Sequence, residues 1–175
     1  MRKLKNSELG RISVENFKTS KKTPIVVVLD NVRSALNVGS SFRTSDAFRI
    51  EKIYLCGITA KPPNKEIRKS ALGATESVKW EKVEETESII KKLKSEGYHI
   101  CAIEQTENSI MLNNFIPPKK PIVVVFGHEV NGIQQSVVDL CNQSIEIPQI
   151  GTKHSLNISV SIGIVIWDLY KKIVV

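Results

Sequence analysis

Three scattered cysteines and few aromatic residues limit what this chain of 175 residues can be. Cys56, Cys101 and Cys141 form neither a disulfide framework nor a C-x-x-C metal pair, so we interpret them as small core residues in a reducing compartment. We therefore predict a cytoplasmic protein that holds no metal. Aromatic residues make up only 6% of the sequence, which argues against a surface of stacking platforms for single-stranded nucleic acid.

Long apolar runs and the common phosphate-binding motifs are also missing. No apolar run approaches the roughly 20 residues that a membrane span needs. The charged N-terminus lacks the apolar core of a secretory signal. The first apolar run is not followed by G-x-G-x-x-G, which disfavours a Rossmann-type site, and no Gly-rich loop ends in G-K-S/T, which excludes a P-loop NTPase. We expect a single globular domain with no membrane partner.

Positive charge is concentrated at the N-terminus. The chain has a net charge of +7. Residues 1–22 hold seven Lys or Arg against Glu8 and Glu15, a net charge of +5 in that segment. We treat residues 1–23 as a basic extension, expected to be helical, and residues 24–175 as the domain. A concentrated cationic segment is typical of a nucleic-acid binder, although a merely solvated tail has the same composition.

Strand and helix patterns alternate along residues 24–175. The runs Ile25–Leu29 and Ile122–Phe126 show no polar alternation, which is typical of parallel strands buried on both faces. The other predicted strands are Lys52–Cys56, Ser77–Trp80, His99–Ile103 and Ser144–Ile147. The predicted helices are Val38–Phe48, Lys65–Leu72, Glu84–Glu96 and Ile133–Cys141. This alternation predicts an α/β fold, a mostly parallel sheet with helices on both faces.

The C-terminal segment allows two interpretations. From Ser155 to Gly163 apolar and polar residues alternate, which favours a strand. The high apolar density continues to Val175, however, and a helix buried on most sides would fit that whole length, with Ser159 and Gly163 admitting close packing. The pattern alone leaves both open.

Polar loops follow three of the predicted strands, at residues 31–43, 127–132 and 148–157. Parallel α/β proteins bind ligands at the carboxyl ends of their strands, so these loops hold the candidate site residues. Each candidate also has a structural interpretation: Asn37 as the cap of a helix at Val38, Arg43 as a solvated helix charge, Glu129 as a partner of the helix dipole at Ile133, and Ser155 as the cap of the final helix.

Three motifs in these loops resemble the signature motifs of the SpoU (TrmH-like) RNA 2′-O-ribose methyltransferases, in the SPOUT class. The first is Asn37-x-Gly39-x-x-x-Arg43, followed by T-S-D-A-F. The second is F-G-x-E-x-x-G at 126–132. The third is I-P-x-x-G-x-x-x-S-L-N-x-S-V at 147–160. The segment K-S-A-L-G-A at 69–74 is also similar to a loop of these proteins.

The resemblance implies a fold and an activity. It implies a trefoil knot in the C-terminal half, a helical last segment, a homodimer, and methyl transfer from S-adenosylmethionine (AdoMet) to a ribose 2′-hydroxyl in tRNA or rRNA. Residues with an implied catalytic role are Asn37, Arg43, Glu129, Ser155 and Asn157. Those implied to hold AdoMet, without metal, are Glu104, Gly127, Ile147, Ser155 and Leu156.

Chemistry assigns roles within this set. Arg43 can hold an RNA phosphate bidentately, whereas a guanidinium with a pKa above about 12 is a poor base. Glu129 is interpreted as the anchor of Asn37. We expect the dimer to bury residues 155–171, whose apolar members are Ile158, Val160, Ile162, Val165, Trp167 and Leu169. Two alternatives stay open: an AdoMet-dependent RNA base methyltransferase, and a non-catalytic RNA-binding knot protein.

Overall fold

Seven parallel strands form one sheet in the computed structural model, which describes all 175 residues. The strands are β1 (Thr23–Asp30), β2 (Ile50–Cys56), β3 (Trp80–Val83), β4 (His99–Ile103), β5 (Ile110–Met111), β6 (Ile122–Phe126) and β7 (Gln143–Glu146). Their order across the sheet is β3-β2-β1-β6-β4-β7-β5, and every adjacent pair is parallel. The predicted parallel sheet is confirmed.

Helices cover both faces of this sheet. They are α1 (Val14–Thr19), α2 (Ala35–Ala47), α3 (Lys65–Ala71), α4 (Ala74–Ser77), α5 (Thr86–Ser95), α6 (Gln135–Val138) and α7 (Ile158–Val174), with 3₁₀ turns at Asn6–Glu8 and Leu112–Asn114. Successive residues of β1 point to opposite faces: Val27 packs with α2, α3 and α7, whereas Val26 and Val28 pack with α5 and α6. Both faces being buried explains the unbroken apolar runs.

Several predicted boundaries were wrong. The strand expected at Ser77–Trp80 begins only at Trp80, because Ser77 closes the short helix α4. The helix expected at Ile133–Cys141 is reduced to Gln135–Val138. Helix α2 begins at Ala35 rather than Val38, since Ser34 is its cap and accepts a hydrogen bond from the Asn37 backbone N–H at 3.3 Å. The two-residue strand β5 was not predicted.

The last segment is helix α7, so the strand interpretation of Ser155–Gly163 was wrong. Its cap is Asn157, whose Oδ1 accepts from the Ser159 backbone N–H at 2.9 Å, and not Ser155. A Cβ placed on Gly163 would meet nothing within 4 Å, so the close packing expected there does not occur within the chain. The trefoil knot stays a prediction.

The basic N-terminal segment is helical only at Asn6–Glu8 and in α1. Helix α1 is held by Phe17, which is buried in the core on the α2 side of the sheet. The ammonium of Lys22 caps the C-terminus of α1 by donating to the carbonyl oxygens of Phe17 and of Ser20, the latter at 2.9 Å. The residues just before β1 are therefore attached to the domain.

The cysteines have the environments predicted for core residues. All three are free thiols, Cys56 and Cys101 fully buried and Cys141 half-buried. Burial raises the pKa of each thiol to about 12, so they stay protonated and unreactive. No helix has the length and hydropathy that a membrane crossing requires. No group of three or more His, Cys, Asp or Glu side chains is arranged to hold a metal ion.

Candidate active site

A cavity of about 460 Å³ opens at the carboxyl ends of β4, β6 and β7. The loop after β6 and the loop before α7 form its other walls. All five residues predicted to hold the cofactor line it: Glu104, Gly127, Ile147, Ser155 and Leu156. Glu129 and Asn157 line it as well. The cavity is thus where the second and third motifs meet, at the edge of the sheet expected for a ligand site.

The charge of this cavity is opposite to that of the chain. Its lining includes the carboxylates Glu104, Glu129 and Glu146 and contains no Lys or Arg, whereas the chain as a whole has a net charge of +7. The remaining walls combine apolar side chains, among them Ile103, Phe126, Ile147 and Leu156, with loop backbone. Such a cavity suits a ligand with a flat apolar part and positive charge.

A hydrogen-bonded chain of side chains joins the three motifs. Asn37 Nδ2 donates to Glu129 Oε1 at 3.0 Å, and Asn157 Nδ2 lies 3.4 Å from Asn37 Oδ1. Glu129 also accepts from the backbone N–H groups of Arg33 and Ser34, both at 2.9 Å. Glu129 therefore anchors Asn37, as predicted, but it holds the N-terminus of α2 rather than a helix at Ile133.

These hydrogen bonds keep Glu129 ionised. Partial burial by itself would raise the pKa of this carboxylate, but the N–H groups of Arg33, Ser34 and Asn37 outweigh burial and lower the pKa below its ordinary value. A carboxylate with a lowered pKa is a weak proton acceptor near neutral pH. Glu129 is consequently suited to hold loops together and poorly suited to act as a general base.

Two glycines of the second motif occupy positions that a Cβ would not fit, one because of nearby backbone and the other because of its backbone conformation and the Glu104 side chain. A Cβ on Gly127 would lie 2.2 Å from the carbonyl carbon of Gly132. Gly132 has φ +67°, and a Cβ there would lie 2.3 Å from Glu104 Oε2. That same oxygen of Glu104 accepts from the Ile133 backbone N–H at 3.0 Å. Glu104 thus shapes the loop after β6 as well as lining the cavity.

Sequence reasoning missed the role of Asp30, the last residue of β1. Its side chain is fully buried and accepts from the Gln134 backbone N–H at 3.2 Å and from the Thr86 hydroxyl. Asp30, Glu104 and Glu129 therefore each accept backbone N–H groups of loops at the carboxyl edge. The available signal was an aspartate directly after the run I-V-V-V-L, where a buried charge needs partners.

Arg43 lies in a different cavity from the other predicted site residues. This second cavity, also about 460 Å³, lies between α2, α3 and α7 and is lined by Ser40, Arg43, Thr44, Ala47, Phe48, Lys69, Ser70 and Gly163. It contains two cationic side chains and no carboxylate. Arg43 is exposed and takes part in none of the chain's ion pairs. Its guanidinium is free to bind an anion.

The first motif also fixes the contact between α2 and α3. A Cβ on Gly39 would lie 2.1 Å from Ser70 Oγ and 2.5 Å from the Ile67 carbonyl oxygen. Helices α2 and α3 therefore approach this closely because residue 39 is a glycine. Ser70 Oγ donates to the Leu36 carbonyl oxygen at 3.0 Å. The K-S-A-L-G-A segment therefore carries Lys69 to the rim of the second cavity beside Arg43.

Comparison with known proteins agrees with this geometry. The model of the SpoU rRNA Methylase family matches residues 24–167. A tRNA (guanosine(18)-2′-O)-methyltransferase of Aquifex aeolicus is 30% identical over 152 residues, which cover 85% of this chain and 69% of that protein. The 23S rRNA (guanosine-2′-O-)-methyltransferase RlmB of Blochmanniella floridana is 28% identical, covering 85% and 58%. This chain thus spans about six-tenths to seven-tenths of the length of these relatives.

Solved structures show the same fold. The TrmH/SpoU tRNA modifying enzyme of A. aeolicus superposes with a TM-score of 0.79 at 26% identity, covering 91% of this chain and 79% of that one. An AdoMet-bound rRNA methyltransferase of Sinorhizobium meliloti gives a TM-score of 0.82 at 25% identity, covering 89% and 59%. With three motifs assembled at one edge of the sheet and a family match over most of its length, the chain belongs to the SpoU rRNA Methylase family.

Proposed function

We propose that this protein transfers a methyl group from AdoMet to a ribose 2′-hydroxyl of structured RNA, tRNA or rRNA. The observation that carries the proposal is the pair of cavities of opposite charge connected through α2 and α7. One is lined by carboxylates and no cation, and the other by Arg43 and Lys69 and no carboxylate. A cationic cofactor suits the first and an RNA phosphate suits the second. The names of the A. aeolicus and B. floridana relatives support ribose as the acceptor.

The residues of the first cavity fit AdoMet. Its size lies in the range usual for cofactor sites. Ile147 and Leu156 offer apolar surface for adenine, and the loop backbone around Gly127 offers hydrogen-bonding groups. The carboxylates of Glu104 and Glu146 in its lining would offset the positive charge of a bound AdoMet. When bound, AdoMet supplies a methyl group on a positively charged sulfur, which is electrophilic without a metal.

On the RNA side, Arg43 acts as a phosphate clamp. Its planar guanidinium can hold a phosphate with two parallel hydrogen bonds, and Lys69 adds positive charge at the same rim. Holding the phosphate next to the target ribose orients the 2′-hydroxyl, which converts a bimolecular encounter into a positioned reaction. Asn37 and Asn157 bring the α2 and α7 sides of the site together.

The site also favours a homodimer. The list of apolar α7 residues expected at the interface needs correction: Ile158, Ile162, Val165 and Leu169 are buried within the chain. The exposed stripe consists of Val160, Ile164 and Trp167, which recur at helical spacing along one face. Because Gly163 of this helix lines the Arg43 cavity, a second copy packed on the stripe would close that cavity.

Sedimentation of the wild type and Val160→Glu tests the dimer. Val160 is 48% exposed, so a charge there is compatible with the fold of one chain. We expect a dimer for the wild type at micromolar concentration and dissociation for the variant, with unchanged circular dichroism. A wild-type monomer would remove the dimer from the proposal. The cytoplasmic location inferred from the cysteines belongs to the same proposal.

Calorimetric titration of AdoMet tests the cofactor. We expect one AdoMet bound per chain, with the same affinity in the presence of EDTA, and transfer of labelled methyl into a mixture of tRNA and rRNA. A protein that binds RNA and no AdoMet would instead be a non-catalytic member of the fold.

A further inference from the structure

The amino edge of the sheet, at the opposite end from the cofactor cavity, has a row of positive charges. Lys22, Arg49 and Lys79 are the residues directly before β1, β2 and β3, and Lys120 is separated from β6 by Pro121 alone. These four strands are neighbours in the order β3-β2-β1-β6. Adjacent parallel strands are about 4.8 Å apart, so the four strand starts span roughly 14 Å across the sheet. Lys79 is set back along the strand direction, because Trp80 of β3 pairs with Ile53 and not with Ile50, the first residue of β2.

We propose that this amino edge binds the sugar-phosphate backbone of the substrate RNA away from the nucleotide that is methylated. The inference rests on the proposed function, because it takes RNA to be the substrate. It adds a second RNA-binding surface that none of the three motifs contributes to. The surface fits a polyanion of extended, regularly spaced charge, and it supplies affinity without touching the reacting groups.

The cations of this row are not neutralised within the protein. None of the chain's four ion pairs includes Lys22, Arg49, Lys79 or Lys120. The carboxylates on the neighbouring strands have other partners: Glu51 accepts from the Tyr98 hydroxyl at 2.7 Å, and Glu81 pairs with Lys52 at 2.6 Å.

The pKa of Lys22 reflects the positive charges around it. Burial, and after it the charges of Lys79 and Arg49, lowers the pKa of the Lys22 ammonium. The cations of three adjacent strands therefore lie close enough to repel one another. Such mutual repulsion is relieved when an anion binds.

Arg49 stands where a glycine would be easier to accommodate. It follows the last residues of α2 with φ +50°, the left-handed conformation in which helices usually place Gly. Its backbone N–H donates to the Asp46 carbonyl oxygen at 3.0 Å, as the turn requires, but its side chain forms no ion pair. The left-handed turn itself does not require an arginine side chain, and the positive charge is what distinguishes Arg49 from glycine there.

The row extends into the N-terminal segment. Phe17 anchors α1 to the domain, and the contacts of Lys22 close that helix, so Lys18 and Lys21 are held near the start of β1. Strand β1 has eight residues, which corresponds to about 23 Å between the two edges of the sheet. An RNA that reaches both the amino edge and the catalytic edge must therefore span the thickness of the domain.

The double variant Arg49→Gly/Lys79→Gln tests this surface. Lys22 is left intact because it caps α1. Arg49→Gly removes the charge and relieves the left-handed conformation, so we expect the melting temperature to be unchanged or higher. The matched control Lys91→Gln/Lys92→Gln removes the same charge from α5, away from the amino edge, where Lys91 pairs with Glu87. The probe is a mixed tRNA preparation, with the dissociation constant measured across a range of salt concentrations.

We expect the amino-edge variant to bind tRNA several-fold more weakly and to reduce the slope of log affinity against log salt by about 1 to 2, since each lost phosphate contact removes slightly less than one from the slope. AdoMet affinity should not change, and the α5 control should match the wild type. If the variant retains wild-type RNA affinity and slope while the wild type methylates RNA, the inference is wrong and the proposed function stands. If the wild type neither binds RNA nor transfers methyl, both fail. If the amino-edge variant instead loses binding to anionic lipid vesicles and keeps the wild-type affinity for tRNA, the surface binds lipid and the inference is wrong.

Discussion

The two cavities of the molecule have the same size and opposite charge. The cavity at the carboxyl edge contains three carboxylates and no cation, and two of these carboxylates, Glu104 and Glu129, accept hydrogen bonds from loop backbone. The cavity between α2, α3 and α7 contains Arg43 and Lys69, neither of which forms an ion pair. Two carboxylates of the first cavity thus also hold the surrounding loops in place, whereas the two cations of the second cavity form no ion pair within the protein.

Helix α2 connects the two cavities, which differ in charge. Asn37, near its start, is held by Glu129 and lies next to Asn157, which lines the carboxyl-edge cavity. Arg43, six residues later, lies in the cationic cavity. Changes on the Arg43 side should spare the cofactor, and changes in the loop after β6 should impair it. The predictions below test that separation and the contacts that maintain it, beginning with the largest expected effect.

Arg43→Ala should nearly abolish methyl transfer and leave AdoMet affinity within a few-fold of the wild type. Losing a charge-assisted contact that also orients the nucleophile should lower the rate by about 10²–10³, equivalent to roughly 3–4 kcal/mol. Arg43→Lys keeps the charge without the planar fork and should recover little. Single-turnover rates together with calorimetric AdoMet titrations measure both quantities. Near-normal turnover in Arg43→Ala would return Arg43 to a solvated helix charge.

Gly127→Ala should disrupt the cofactor side. The new Cβ would lie 2.2 Å from backbone atoms of Gly132 and Ile133, which cannot move aside as a flexible side chain could. We expect a loss of about 1–3 kcal/mol in unfolding free energy and much weaker AdoMet binding.

Gly151→Ala is the matched control for Gly127→Ala, because a Cβ there meets nothing within 4 Å. Urea unfolding and AdoMet titration of both variants test the assignment. Equal stability of Gly127→Ala and Gly151→Ala would show that the loop is more adaptable than its contacts indicate.

Glu129→Gln should lower the unfolding free energy by about 1–2 kcal/mol at neutral pH, since the new amide N–H₂ would face a backbone N–H. The pKa of Glu129 is lowered in the folded protein, so its contribution is complete above the unfolded-state pKa and is lost as pH falls through the folded-state value.

The variant should therefore lose less stability than the wild type between neutral and acidic pH. Urea unfolding across that range measures the difference, with Glu107→Gln as a control at an exposed glutamate without a hydrogen-bonding role. Parallel pH profiles of wild type and Glu129→Gln would be inconsistent with an ionised Glu129 anchor.

Asn157→Ala should have the smallest effect on stability, about 1 kcal/mol from the lost cap of α7. Because Asn157 lines the cofactor cavity and lies beside Asn37, both AdoMet affinity and transfer rate should fall. Thermal unfolding, AdoMet titration and single-turnover kinetics on one preparation measure the stability, the AdoMet affinity and the transfer rate. A reduced rate with unchanged AdoMet affinity would place Asn157 on the RNA side.

The sequence was most informative where local pattern and long-range contacts agree. The buried runs Ile25–Leu29 and Ile122–Phe126 became adjacent strands β1 and β6, because only a strand covered on both faces needs no polar residues. The motif residues lining the carboxyl-edge cavity could be located because motif order and strand ends together placed them at one edge.

The features that the sequence did not predict depend on contacts between segments that are distant in the chain. The alternation at Ser155–Gly163 indicated a strand locally, yet burial of Ile158, Ile162, Val165 and Leu169 against the sheet made it a helix. The cap at Ser34 is coupled to Glu129, 95 residues away, so no local rule revealed that α2 begins before Asn37. The separation of Arg43 from the cofactor cavity likewise depends on how α2 packs against α3 and α7.

Locating the transferred methyl group tests the central claim most directly. The protein would be incubated with AdoMet labelled on its methyl group and with mixed tRNA and rRNA, and the RNA then digested with alkali. A methylated 2′-hydroxyl cannot attack its adjacent phosphodiester, so we predict that the label appears in alkali-resistant dinucleotides. Label recovered in mononucleotides would show methylation of a base and would contradict the assignment of ribose as the acceptor.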